Sequence, residues 1–250
     1  MKINKTLCGL IAGIMLGTFS CYSNKINESN DKNNNNISQK VREEIVDDTV
    51  MLNVSSKVEI NNKGTVIFSY TELTKGSGII LYDYDNKEYY ILSVAHLTPK
   101  IEHKEIVKDS TYMVGEIKLE LVKEDRENDL ALLRATSNLE NYFDGKFAQN
   151  YELGDYIIGA GYPGEFSNII LYQGNISSDK NSNLIFLDGT LNFGHSGGPA
   201  YVFNEGKPYL VGINSNIFTH NGQIMPGIGG LIPLEKIIEF LEDTPLENDY

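Results

Sequence analysis

The stretch Gly194-His195-Ser196-Gly197-Gly198-Pro199 surrounds one serine with glycines. At average residue usage its fixed positions recur by chance on the order of 10⁻⁶ per site. A serine hydroxyl is a weak nucleophile. To attack a carbonyl it needs a base beside it and donors for the oxyanion that develops. Glycines let a backbone turn tightly enough to aim successive N–H groups at one point. A base is offered by Ser93-Val94-Ala95-His96, a histidine closing an apolar run, one of only 4 histidines. An acid is offered by Asn128-Asp129-Leu130-Ala131-Leu132-Leu133, where a carboxylate opens a buried run. Such an acid is costly unless it has partners. The bland alternatives are a Gly-Pro turn, a structural histidine and a strand-start aspartate; read together, Ser196, His96 and Asp129 are candidates for nucleophilic hydrolysis.

The elements that would carry these residues read as short strands. Runs at 65–70, 78–82, 89–94, 116–122 and 130–133 precede a second series at 156–158, 168–172, 184–187, 200–203 and 209–213. Asp83-Tyr84-Asp85-Asn86-Lys87 is a turn cluster, so 78–82 and 89–94 form a hairpin. Leu234, Ile237, Ile238 and Leu241 have the spacing of one helix face, with Pro233 at its start. The expectation is an all-β body with one short C-terminal helix.

Composition narrows the function further. The 250 residues are 41% hydrophobic and 22% charged, with a formal net charge of -13. That balance excludes nucleic acid as the main partner, since phosphate binding needs clustered Lys and Arg. The 2 cysteines, Cys8 and Cys21, lie near the start, so the body has neither disulfides nor a Cys-rich metal site. Lys2 and Lys5 precede an apolar run from Leu7 to Phe19, shorter than the about 20 residues of a spanning helix. The organisation read from this is a signal peptide at 1–20, a disordered Asn-rich tether at 21–49 and a folded domain at 50–250.

The order His96, Asp129, Ser196, with gaps of 33 and 67 residues, resembles trypsin-fold serine endopeptidases of the disulfide-free bacterial HtrA/Deg type. Gly76-Ser77-Gly78-Ile79-Ile80-Leu81, Gly154-Asp155, Gly161-Tyr162-Pro163, Gln173-Gly174-Asn175-Ile176-Ser177 and Gly227-Ile228-Gly229-Gly230 extend the likeness over roughly 66–240. The resemblance implies two six-stranded antiparallel β-barrels, chymotrypsin/trypsin-like, with the site between them. It implies an oxyanion hole from the N–H groups of Gly194 and Ser196. It places the floor of the substrate pocket at Thr190, with walls from Ile213, Asn214 and Ser215. A neutral floor is matched to small or medium apolar residues before the scissile bond. Substrates would be proteins or peptides, with no metal or cofactor.

Thr18-Phe19-Ser20-Cys21 is similar to a bacterial lipoprotein signal. It implies a lipid on Cys21 and attachment to a membrane, at the periplasmic face or the cell surface; an unlipidated chain would be secreted. His195 departs from the family, which carries Asn or Asp there, and its side chain is expected to point away from Ser196. With 54 residues after Ser196, no PDZ module is expected. Two other readings compete. Gly194-x-Ser196-x-Gly198 fits an esterase nucleophile elbow, but 199–203 is strand-like and the order of the triad is wrong. A catalytically inactive protease fold used for binding or adhesion is the remaining alternative.

Overall fold

The computed structural model describes residues 37–250 except 63–64, 100–104, 165, 179–182, 221–222 and 248. The expected signal peptide, Cys21 and most of the expected tether lie outside the described residues.

Residues 39–49, expected as the end of a disordered tether, are folded. Helix α1 (Gln39–Asp47) starts at Ser38, whose hydroxyl accepts the Val41 N–H at 3.3 Å. Gln39 bonds Glu43 and Lys40 pairs with Glu44, both across one helical turn. The decisive residue is Ile45, 1% exposed, which joins the hydrophobic core with Val41 packed beside it. Its single apolar face was too short a pattern to stand out from the polar stretch before it. Thr49 then bonds the Ile45 carbonyl and begins β1 (Thr49–Asn62).

β2 (Thr65–Asp83), β3 (Glu88–Ser93), β4 (Glu105–Val114), β5 (Ile117–Asp125) and β6 (Leu130–Ala135) complete a closed antiparallel barrel, in the order β1-β2-β3-β6-β5-β4. The runs at 65–70 and 78–82 are one long strand rather than two. Its first half is exposed and its second half is core. The hairpin turn stands as expected: Asp83 Oδ1 accepts the N–H groups of Asp85 and Asn86. β1 and β4 did not stand out in sequence, because polar residues interrupt both.

The second sheet follows the order β10-β13-β12-β11-β8-β9. Its members are β8 (Tyr156–Gly161), β9 (Ile170–Asn175), β10 (Ile185–Leu187), β11 (Pro199–Asn204), β12 (Lys207–His220) and β13 (Gln223–Pro233). A two-residue β7 (Lys146–Phe147) pairs in parallel with β12. Six strands were expected here; the sheet has seven, six along this path and β7 beside β12. Among the described residues the main-chain join between β9 and β10 is an Ile176–Leu187 bridge with two flanking backbone bonds, so the sheet is curled rather than fully laddered.

The two sheets share a core. β8 shows how: Ile157 faces the second sheet's own interior, and Ile158 joins the first barrel's cluster with Tyr201, Leu210, Ile213 and Ile232. Both faces of such a strand are covered, so its alternation is lost and it reads as an apolar run. The same holds for Leu130 to Leu133, all 0% exposed. Helix α2 (Leu234–Leu241) buries Leu234, Ile237, Phe240 and Leu241. Ile238, assigned to that face from spacing, is 43% exposed, and Phe240 takes its place. Among the described residues no helix is long and apolar enough to cross a membrane.

Candidate active site

His96 and Asp129 come from the first barrel and Ser196 from the second. β3 ends at Ser93, and a single 3₁₀ turn (Ala95–Leu97) follows. Ala95 and Leu97 are buried on either side, which leaves His96 facing outward. Asp129 sits at the end of a turn built by Asp125, whose carboxylate accepts the N–H groups of Glu127 and Asn128. Asp129 has φ 59°, in the left-handed region where a non-glycine residue carries strain. The Ala95 N–H donates to the Asp129 carbonyl at 3.1 Å, tying the two turns together.

Three donors converge on the Asp129 carboxylate. The His96 N–H donates to Oδ1 at 2.8 Å, and His96 Nδ1 lies 2.8 Å from Oδ2. The Ser215 hydroxyl donates to Oδ2 at 2.6 Å. Burial pushes the carboxyl up, but the hydrogen bonds and charge of His96, with the Ser215 bond, outweigh it and hold Asp129 below the ordinary carboxylate value. An ionised Asp129 keeps the proton of a neutral His96 on Nδ1. Nε2 is then free to accept one.

The Ser196 turn is held by contacts that only glycine permits. A Cβ on Gly198 would lie 2.1 Å from the Ala160 carbonyl oxygen, and one on Gly197 2.1 Å from the Ser77 carbonyl oxygen. Gly194 has φ +96° and presses on the Tyr162–Gly164 backbone. The Gly197 N–H donates to the Asn214 carbonyl at 2.7 Å, and the Asn214 N–H to the Gly198 carbonyl at 2.8 Å. Ser77, buried between two glycines, donates its N–H to the Ser196 carbonyl and its hydroxyl to the Gly194 carbonyl. Among the described residues, neither the Gly194 nor the Ser196 N–H has an acceptor. The Ser196 hydroxyl points at the Ser215 carbonyl oxygen, 3.5 Å away. His195 turns into the interior against Tyr172, away from Ser196.

The residues assigned to a substrate pocket divide. Thr190 is exposed on the loop after β10. Ile213 is 0% exposed within the shared core, so its side chain is not a pocket wall. The Asn214 side chain is also buried. It accepts from the Tyr172 hydroxyl and donates to the Ala160 carbonyl. Ser215, assigned as a wall, spends its hydroxyl on Asp129. Sequence reasoning missed Ser77 and Tyr172. For Ser77 the available signal was a lone hydroxyl between Gly76 and Gly78; for Tyr172 there was none.

Residues 76–213 match the family described as the trypsin-like peptidase domain. A probable periplasmic serine endoprotease, DegP-like, from Ectopseudomonas mendocina is 32% identical over 174 residues, covering 67% of this chain and 34% of that protein. The magnetosome formation protease MamE of Paramagnetospirillum magneticum is 31% identical over 139 residues, covering 50% of this chain and 18% of that one. The chain thus spans about a third or less of the length of these curated relatives. In fold, it is similar to an HtrA-type protease solved with a decapeptide, at TM-score 0.64 and 20% identity, covering 84% of this chain and 67% of the other. A serine endoprotease from Yersinia pestis aligns at TM-score 0.58 and 23% identity, covering 87% and 69%. The matched segment contains His96, Asp129 and Ser196 and more than half of the chain, which therefore belongs to the trypsin-like peptidase domain family.

Proposed function

We propose that the chain is a serine-type endopeptidase that cleaves peptide bonds through an acyl-enzyme. The observation that carries this is the triple anchoring of Asp129, which fixes the His96 ring with Nε2 free. Ser196 is the nucleophile. Its hydroxyl turns from the Ser215 carbonyl towards His96 Nε2, which takes the proton as oxygen attacks the scissile carbonyl. The resulting imidazolium is stabilised by ionised Asp129 and then protonates the leaving amine. Charge on the substrate oxygen is met by the unengaged N–H groups of Gly194 and Ser196. Water repeats the sequence on the acyl-enzyme.

Thr190 forms the floor of the specificity pocket, with the main chain of Asn214 and Ser215 on one side and Gly227 to Gly230 on the other. With no charge at the floor, small or medium apolar residues are preferred there, softly, since one methylene is worth about 1–3 kcal/mol. We further propose that residues 1–20 export the chain and that Cys21 carries a lipid that tethers it to a membrane. The periplasmic DegP-like relatives support export.

A fluorophosphonate probe on the purified protein tests the reading. The expected adduct is on Ser196 alone, and Ser196→Ala abolishes both labelling and casein hydrolysis, with a loss of about 10⁴–10⁶ in rate. An unlabelled, inactive wild type with the same fold would favour a binding role instead.

A further inference from the structure

His195 takes no part in the chemistry proposed above, yet it is 1% exposed inside the turn that carries Ser196. Two reciprocal bonds link it to Asn192. The His195 N–H donates to the Asn192 carbonyl at 3.1 Å, and the Asn192 N–H donates to His195 Nδ1 at 3.0 Å. The same ring nitrogen lies 3.2 Å from the Asn192 carbonyl oxygen. The shorter of the two contacts is the Asn192 N–H donating to Nδ1, which places the proton of the neutral ring on Nε2; the other tautomer would donate from Nδ1 to the Asn192 carbonyl. Nε2 is buried, with no partner among the described residues.

These bonds close a loop around Phe193 and Gly194. The carbonyls within that loop are tied as well. The Phe193 carbonyl accepts the Gly164 N–H at 2.6 Å, and the Gly194 carbonyl accepts the Ser77 hydroxyl at 2.7 Å. With both carbonyls engaged, the Gly194 N–H is left for a substrate oxygen. The ring meets Tyr172 edge to face at 5.5 Å, and Tyr172 bonds Asn214. A Cβ on Gly161 would lie 2.9 Å from the His195 Cα, so the backbone behind it has no room to yield.

We propose that neutral His195 is a positioning residue for the oxyanion turn, and that its protonation opens the turn, giving the enzyme an acid-sensitive group outside the triad. The inference rests on the peptidase reading above. A second proton can enter only at Nδ1. There it would turn an acceptor into a donor, exchanging the Asn192 N–H bond for one to the Asn192 carbonyl 3.2 Å away and leaving a charge in a buried site. Tyr172 is the titratable side chain against the ring, and burial keeps its phenol neutral. The environment already resists the charge: burial holds His195 below the ordinary histidine value, against a smaller opposing effect of the Asn192 backbone.

The test combines spectroscopy and kinetics on the full chain. In ¹⁵N-labelled Ser196→Ala protein, which cannot digest itself, the His195 ring should be protonated on Nε2 at pH 8. The Asn192 and Gly194 amides should shift with the same midpoint as the ring. A proton on Nδ1 at pH 8, or amides unmoved through that titration, overturns the proposal. In the active enzyme, log kcat should fall with a slope approaching two below both midpoints. His195→Asn, whose Oδ1 can accept the same bond without titrating, should return the slope to one, with kcat at pH 8 within about threefold of wild type. A slope of two that persists in His195→Asn sinks the idea.

His195→Ala should lower kcat about 10²-fold with KM nearly unchanged, as expected when an oxyanion donor is misplaced. Wild-type kcat in that variant counts equally against it. Should the alanine variant fail to fold, the asparagine variant and the amide titration decide. A wild type that neither hydrolyses peptides nor reacts with fluorophosphonate, yet titrates ring and amides together, refutes the peptidase reading and leaves the coupling standing.

Discussion

Asp129 is the residue on which the site converges, and its environment makes a definite demand on Ser215. A hydrogen bond to a charged group is worth about 1.5–3 kcal/mol. Ser215→Ala removes one of the three bonds that fix the carboxylate. If half of that loss reaches the transition state, kcat falls about 4- to 13-fold while KM changes little, measurable with a peptide amide substrate. The same substitution changes acid stability in a fixed direction. Asp129 is held below its ordinary value in the fold, so the stability it contributes is complete above the ordinary carboxylate range. That stability is lost as pH falls through the folded value. Removing the Ser215 donor raises the folded value, so acid unfolding of Ser215→Ala should begin at higher pH than in wild type. Circular dichroism between pH 2 and 5 measures this. His96, Asp129 and Ser196 stood out in sequence as candidates, His96 and Asp129 because they close and open apolar runs and Ser196 because glycines surround it. The partners that aim them were not, because Ser77, Tyr172 and Ser215 act through contacts 42 to 117 residues apart.

Among the elements, α1 was the helix that sequence reading missed. Its composition is polar, and one buried side chain decides its place. Ile45→Ala should destabilise the domain by about 2–5 kcal/mol, read from urea denaturation. A loss below about 0.5 kcal/mol would mean that the helix is an appendage rather than an integral piece of the core. Next to it, Asp48 closes the helix with its carboxyl pushed up to about 8, chiefly by burial, then by Asp47, Glu44 and Asp144. A group raised in the fold favours the folded state at low pH, and that advantage is lost as pH rises from the ordinary carboxylate value through about 8. Asp48→Asn should therefore leave Tm nearly unchanged at pH 4 and raise it increasingly towards pH 8, with no further gain above. Equal Tm values for the two proteins at pH 9 would contradict this. The strands divide by the same logic of pattern strength. Apolar runs such as Leu130 to Leu133 declared themselves, while β1 and β4, whose polar and apolar residues mix, needed the closed barrel to define them.

For the whole molecule, the tether is the claim furthest from the described residues, and it has a direct test. Cys21→Ala should move the protein from the membrane to the soluble fraction and abolish labelling by a fatty-acid analogue, since one acyl chain with a second attachment is what lipid anchoring requires. Wild-type chain without label, starting at another residue, would instead be a plain secreted protein. The two-barrel arrangement was legible because the triad motifs imply it; the joint between the sheets was not, since it depends on which face of β8 and β12 each apolar residue takes. The way the chain enters the domain has a mechanical side. β1 is paired on both flanks over Leu52–Ile60, with β2 on one and β4 on the other. A pull applied at its N-terminal end must first dislodge the helix that Ile45 pins, and then break both ladders at once rather than peel a single edge. A protein held by that end while a large substrate strains against it would bear the load where its strand pairing is double, leaving His96, Asp129 and Ser196 undisturbed beyond it.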